Sequence, residues 1–320
     1  MIPPAIFVGI DVSKARLDVA QAPAAPAWAA ANSGEGISEL VQRLQRLAPA
    51  LIVLEATGGY ESAAVAALMA ASLPVVVVNP RQVRDFARAK NRLAKTDKID
   101  AQVLADFGEA VRPELRPLPD VAAKELGALV RRRQQIVEML TAETNRSLLA
   151  TAAVGKDIED HIQWLRNRLK DLNRDLKEAI RSTPGWRERD DLLRSEKGVG
   201  PVLSLVLTAD LPELGQLNRK KISTLVGLAP LNRDSGQFRG KRKIWGGRPT
   251  VRAALYMGTL VATRHNSVIR AFYQRLITSG KPKKLALTAC MHKFLIILNG
   301  IVRDAEALSL TPGLASQDSC

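Results

Sequence analysis

Cysteine is nearly absent: Cys290 and Cys320 are the only two in 320 residues. So far apart, they build neither a disulfide framework nor a zinc site, and they suit a reducing cytoplasm. No positively charged segment precedes an apolar one at the N-terminus, which argues against a secretory signal. No unbroken run of about 18 apolar residues occurs, so no membrane span or membrane partner is expected. Acidic charge runs short toward the C-terminus. Residues 183–320 carry 22 Lys+Arg and 10 Asp+Glu, whereas residues 1–110 carry 11 of each and residues 111–182 carry 14 and 11. The formal charge of +15 is therefore concentrated in the last part. A neutral first part and a basic last part point to a reaction centre joined to a polyanion-binding surface.

What is present divides the chain further. Residues 5–12, AIFVGIDV, read as a buried strand ending near Asp11, and 15–22 as its hairpin partner. A third strand is expected over 27–32, then a helix over 36–47. ALIVLEA at 50–56 is a continuous apolar run of the doubly covered, parallel type, ending at Glu55. A helix over 60–72, a strand over 74–80 and helices over 81–92 and 97–110 follow. Three antiparallel strands followed by crossover units is the order of the ribonuclease H superfold. In open α/β sheets, sites lie outside the carboxyl ends of strands.

Within KTDKIDAQVLADF, Asp97 and Asp100 share one face of a helix, because residues at i and i+3 are neighbours there. Two adjacent carboxylates repel, and either water or a cation must relieve them. Asp11 and Glu55, at strand ends, supply two more. Carboxylate oxygens are what Mg²⁺ or Mn²⁺ prefers, and four can hold two ions for phosphoryl transfer. Asp18, Glu61, Asp106 and Glu109 compete less well, since none combines a strand end with partners. The VGIDVSK start also fits actin-like ATPases, but the further Gly-rich loops and the second sheet of that fold are missing.

From about 121 to 181 the chain is nearly free of Pro and Gly and reads as helical, with a break at Gly155. Ile158, Ile162, Leu165, Leu169, Leu172 and Leu176 alternate steps of four and three, which makes an a/d seam. That seam serves either a coiled coil between subunits or a helical hairpin within one. Beyond Pro184-Gly185, the turn Lys197-Gly198-Val199-Gly200 before an apolar helix presents N–H groups suited to a phosphate. Residues 230–250 form a Gly- and Arg-rich loop in which Arg233, Arg239, Lys241, Arg242, Lys243 and Arg248 surround Ser235, with Arg252 just beyond. Such cations neutralise phosphates, and Phe238 and Trp245 can pack on bases. A loop serine is ordinarily a turn former, and it needs activation to act as a nucleophile. The tail 311–320 is expected to be disordered.

The blocks GIDVSK, IVLEATGGYE, VVVVNPRQVRDFARA, KTDKIDAQVLADF, KGVGPVLSLVLTADL, LVGLAP, DSGQFRGKRKIWGG and RAALYM occur in order across about residues 5–305. Together they resemble the IS110-family transposases, which recombine insertion sequences. The resemblance implies a RuvC-like, ribonuclease H-fold domain whose DEDD acids are Asp11, Glu55, Asp97 and Asp100. It implies a coiled-coil region and a C-terminal transposase domain whose serine is Ser235. It further implies attack by that serine on a DNA phosphate with a covalent phosphoserine intermediate, assisted by Mg²⁺. Donor and target DNA and a structured noncoding guide RNA are the implied partners, bound by a dimer or tetramer in which subunits can share an active site.

The fold class expected is thus α/β plus all-α. Its parts are a catalytic domain over 1–112, a helical coiled-coil region over 120–184 and a basic, mainly helical transposase domain over 185–310. The localisation expected is cytoplasmic. A metal-only nuclease of the Holliday-junction type would need the acids but not Ser235. A nonenzymatic nucleic-acid-binding protein would need neither.

Overall fold

The computed structural model describes residues 5–92, 97–115, 121–232, 234–236, 238–240 and 242–309, with the backbone alone for Asp97, Lys98, Val121, Phe238 and Ser309. The tail expected to be disordered lies outside the described residues. The chain divides into two compact units, Met1–Leu118 and Pro119–Cys320.

The first unit carries β1 (Phe7–Val12), β2 (Arg16–Ala22), β3 (Trp28–Ala31), α1 (Gly34–Leu47), β4 (Leu51–Glu55), α2 (Ser62–Ala70), β5 (Val75–Val78), α3 (Pro80–Ala89) and α4 (Asp97–Val111). The five strands form one sheet in the order β3-β2-β1-β4-β5. β1 runs antiparallel to β2 and parallel to β4, β2 antiparallel to β3, and β4 parallel to β5. This mixed sheet needs crossovers only after β3 and β4, and α1 and α2 provide them.

Alternation along the strands sends side chains to two apolar layers. Val8, Ile10, Leu17, Val19, Ile52 and Leu54 pack under α1 and α2 with Ile37, Leu40, Leu44, Val65 and Leu68. Phe7, Leu51, Val53, Val76 and Val78 pack under α3 and α4 with Val83, Val103, Leu104 and Phe107. Helix starts are marked by their capping residues: Ser33 accepts from the Gly36 N–H, and Asn79 accepts from Arg81 ahead of Pro80.

In the second unit α5 (Val121–Ser147) and α6 (Ala152–Ser182) form a hairpin. The seam faces α5 of the same chain: Leu165, Leu172 and the partly buried Leu169 pack with Ile136, Leu129, Met139 and Leu140. The helical break falls at 148–151, and Gly155 lies inside α6. It sits at the end of the first turn, where its N–H donates to the Thr151 carbonyl at 2.9 Å.

Next come α7 (Pro184–Ser195), α8 (Pro201–Asp210), α9 (Arg219–Val226), β6 (Pro230–Leu231), β7 (Asp234–Ser235), β8 (Phe238–Arg239), β9 (Lys243–Ile244), α10 (Pro249–His265), α11 (Ser267–Thr278) and α12 (Lys283–Ser309). Their core joins Leu203, Leu207, Ile222, Leu255, Ile269 and Phe294 to Leu126 and Leu176 of the hairpin. By length and composition alone, Lys283–Leu308 is long and apolar enough to cross a membrane, although it holds no unbroken apolar run of about 18 residues. A search for an unbroken apolar run stops at Lys293. In the fold, Leu287, Cys290, Phe294, Leu295 and Leu298 of this helix are buried in the helical core. Burial there pushes the Cys290 thiol up to about 11 against the pull of Lys293, so it stays an unreactive core thiol.

Candidate active site

Asp11 is the penultimate residue of β1 and Glu55 the last of β4. The parallel register pairs Ile10 with Leu54, which makes Asp11 and Glu55 the next rung. Both belong to the sheet face that α4 covers, since Val53 and Phe7 lie two and four residues before them.

The direction of α4 is set by its glycine contacts. A Cβ on Gly108 would lie 3.8 Å from Phe7 Cβ, at the start of β1, whereas one on Gly9, two residues further along that strand, would lie 2.1 Å from the Ala101 carbonyl and 2.3 Å from the Ala105 nitrogen. The helix therefore runs antiparallel to β1, with its N-terminal residues, Asp97 and Asp100, toward the Asp11–Glu55 end. Asp11, Glu55 and Asp100 are each half-buried. Among the described residues, no three or more His, Cys, Asp or Glu side chains are gathered closely enough to hold a metal ion. The side chain of Asp97 lies outside those residues. The donor set, carboxylates alone, fits a hard divalent cation by its chemistry.

Three acids set aside in the sequence fasten the surrounding structure. Asp18 lies directly across the ladder from Asp11 and is buried. Arg16 holds it through Nε (2.8 Å) and a second bond from Nη2 to Oδ1. Buried Asp106 receives Lys90 Nζ at 3.1 Å, Arg92 Nη2 at 3.2 Å and Gln102 Nε2 at 2.9 Å. It thereby ties the end of α3 to α4 on either side of residues 93–96. Glu61 closes the turn after β4: its Oε2 accepts from the Thr57 N–H (3.1 Å), the Thr57 hydroxyl (2.8 Å) and the Gly59 N–H (2.9 Å). Burial pushes the Glu61 carboxyl up, but hydrogen bonds from its own backbone, the Thr57 hydroxyl and the Gly59 and Thr57 N–H groups outweigh that and hold it below its ordinary value. Only the Thr-x-Gly-x-Glu spacing hinted at this role.

The serine lies in the other unit. β6 pairs with β9, Pro230 with Ile244 and Leu231 with Lys243, as the outer rungs of the loop. β7 pairs with β8, Asp234 with Arg239 and Ser235 with Phe238. Ser235 is exposed just before Gly236, whose φ is 54°. Arg239 reaches Asp234 at 3.6 Å. Arg242, Lys243 and Lys197 are exposed, and Trp245 is 60% exposed. Arg233 and Lys241 lie outside the described residues.

Two of the cations expected on nucleic acid also bind within the protein. Arg248 grips Glu213 through two bonds of 2.6 Å and donates to the Asp210 carbonyl at 2.8 Å. Burial pushes the Asp210 carboxyl up, opposed by Arg131 and Arg248. Arg252 donates to the Val226 carbonyl at 2.8 Å and to that of Gly246. Gly247, at φ 65°, approaches Gly227 so closely that a Cβ would lie 2.3 Å from its nitrogen. The loop is thus fastened at its base. Gly198, at φ 111°, is likewise required by packing, because a Cβ there would meet Ala262 Cβ at 2.6 Å. Gly200, at the start of α8, is exposed with open space around it.

Residues 8–150 match the DEDD transposase domain model of the IS110 group, and residues 190–274 match the model described as transposase IS116/IS110/IS902 family. The chain belongs to the IS110 family of transposases. Similar proteins include the pilin gene-inverting proteins of Moraxella bovis and Moraxella lacunata, each 28% identical over 93% of this chain and 95% of the relative. A 44.8 kDa protein of insertion element IS116 from Streptomyces clavuligerus is 27% identical over 63% of this chain and 48% of its own length. As an IS110-family transposase, the protein is a DNA recombination enzyme, and DNA is its substrate. The first matched segment holds the acidic edge and the second holds the serine loop.

Proposed function

We propose that this transposase cuts and rejoins the DNA strands of an insertion sequence with two chemical parts. The first is a RuvC-like, ribonuclease H-type acidic site made by Asp11, Glu55, Asp97 and Asp100, which would hold Mg²⁺ or Mn²⁺. A bound divalent cation would supply Lewis-acid polarisation of a phosphate oxygen. The second part is Ser235. Its Oγ attacks a DNA phosphorus, the Oγ–P bond forms as the P–O bond to the departing strand breaks, and the freed strand oxygen takes up a proton. Attack by a second strand's hydroxyl reverses the sequence and restores the serine. Lys197, Arg233, Arg239, Lys241, Arg242, Lys243, Arg248 and Arg252, with the Gly198–Gly200 turn, bind donor and target DNA and a structured noncoding guide RNA. Arg248 and Arg252 also hold the loop.

The observation that carries this reading is the meeting of Asp11, Glu55 and the start of α4 at one sheet edge, in a chain whose exposed serine stands within a fastened basic loop. We take the chain as three domains, 1–112, 120–184 and 185–310, acting in the cytoplasm as a dimer or tetramer. The test is a trapped protein–DNA adduct. Ser235→Ala should abolish it while DNA binding persists, and Asp11→Asn or removal of divalent ions should stop strand cleavage in a protein that still folds. Full recombination by Ser235→Ala would overturn the nucleophile, and recombination indifferent to chelation would overturn the metal site.

A further inference from the structure

The turn that follows Glu55 is held more firmly than a connection requires. Glu61 accepts three hydrogen bonds from Thr57 and Gly59. Asn32 donates to the Ser13 carbonyl at 2.9 Å and to the Tyr60 carbonyl at 3.2 Å, which ties the turn after β1 to the turn after β4. β1, β3 and β4 all end at this side of the sheet, so Ser13, Asn32 and Tyr60 meet where Asp11 and Glu55 do.

What this turn presents is unusual for a bare connection. Gly58 and Gly59 have φ of 78° and 122°, and a Cβ on either would meet nothing within 4 Å. The backbone there is open to a ligand. Tyr60 is 52% exposed. Lys14 is exposed in the neighbouring turn. An exposed ring on a fastened turn, with open backbone and a cation in the neighbouring turn, is a combination that can receive a nucleotide, with its base on the ring and its phosphate near the lysine.

We propose that Gly58-Gly59-Tyr60 is a nucleotide platform. Tyr60 stacks on a base of the DNA strand whose phosphate is presented to Asp11 and Glu55, and the two glycines let the sugar–phosphate backbone approach. The proposal rests on the acidic-edge reading above. It makes the contact tolerant of sequence, because every base offers a π-face.

The probe is an oligothymidine carrying 5-iododeoxyuridine, irradiated with the full-length protein, with adducts located by peptide mass spectrometry. An adduct at Tyr60 is expected, retained in Tyr60→Phe. Binding of the probe at this turn should fall about tenfold in Tyr60→Leu, within the range for one lost base–aromatic stack, with the unfolding midpoint unchanged. Adducts only at other residues, or equal yields from wild type and Tyr60→Leu, overturn the platform. Cleavage of element DNA by Glu55→Gln is followed in parallel. Cleavage lost in Glu55→Gln with no Tyr60 adduct overturns the platform and leaves the acidic edge standing. A Tyr60 adduct with cleavage intact in Glu55→Gln supports the platform and overturns the acidic edge.

Discussion

Asp11 and Asp18 face each other across the antiparallel β1–β2 ladder. Two carboxylates in that relation repel, since directly opposed side chains on one face stand about 4.5–5.5 Å apart at Cβ. Arg16, two residues from Asp18 on the same strand, removes the conflict by binding Asp18 through two guanidinium nitrogens. Arg16→Met should therefore destabilise the first unit by roughly 1–3 kcal/mol, the cost of stranding a buried charged acceptor. Adding Asp18→Asn should recover most of that loss. Denaturant unfolding of the single and double variants measures both, and no recovery in the double variant would rule out the repulsion.

Gly9 lets α4 lie on β1. A methyl group there would sit 2.1 Å from the Ala101 carbonyl and 2.7 Å from Leu104 Cβ, neither of which can yield without moving the helix. Gly9→Ala should cost about 1–3 kcal/mol, as overpacking does, and should shift Asp100 away from the strand ends. Thermal unfolding and strand cleavage should fall together, whereas Gly34→Ala, with open space around it, should leave cleavage unchanged.

The Glu61 turn should carry a pH signature. Its carboxyl is held below the ordinary value of 4.5, so its ionised form is favoured by folding. That contribution is fully present above the unfolded-state value and is lost as pH falls through the lower folded-state value. Wild type should exceed Glu61→Gln in stability at pH 6–7, and the gap should narrow as the medium is acidified below about 4.5. Urea midpoints across pH 3–7 give the comparison, and a gap that widened on acidification would contradict the assignment.

Arg252 separates two roles for a cation near the serine. As a nucleic-acid contact, its loss would weaken DNA binding and flatten the salt dependence by about one phosphate's worth. As the anchor between Val226 and Gly246, its loss should slow adduct formation by Ser235 while the salt slope of DNA binding stays unchanged. Arg252→Met, with binding isotherms at several salt concentrations beside adduct kinetics, distinguishes the two.

Much of the first unit was legible because its rules are local. Apolar runs at 5–12, 50–56 and 74–80 alternate with helical spacing, and the first two end near an acid, Asp11 and Glu55. Asp11 and Glu55 could be paired from the sheet order alone. The roles of Asp18, Glu61 and Asp106 could not. Each depends on a partner whose placement follows from strand register or helix docking, such as Lys90 and Arg92 against Asp106. The seam on α6 was legible as apolar, but its partner was not, because a heptad pattern is the same whether the facing helix belongs to the same chain or to another.

Residue order and chemistry alone were enough to establish the mixed sheet, the helical remainder, the basic C-terminal part and the family. Those properties arise from periodicity, charge and contiguous motifs, which are written along the chain. Three-dimensional packing decided which partners these groups take within the protein. It places Arg248 and Arg252 on backbone and Glu213, uses Gly198 for close contact with α10, and joins Ser13, Asn32 and Glu61 into a frame around Tyr60. Guanidinium groups and glycines look alike in sequence whether they meet a phosphate or a carbonyl. Only the acceptor or atom that the fold brings within a few ångströms assigns them.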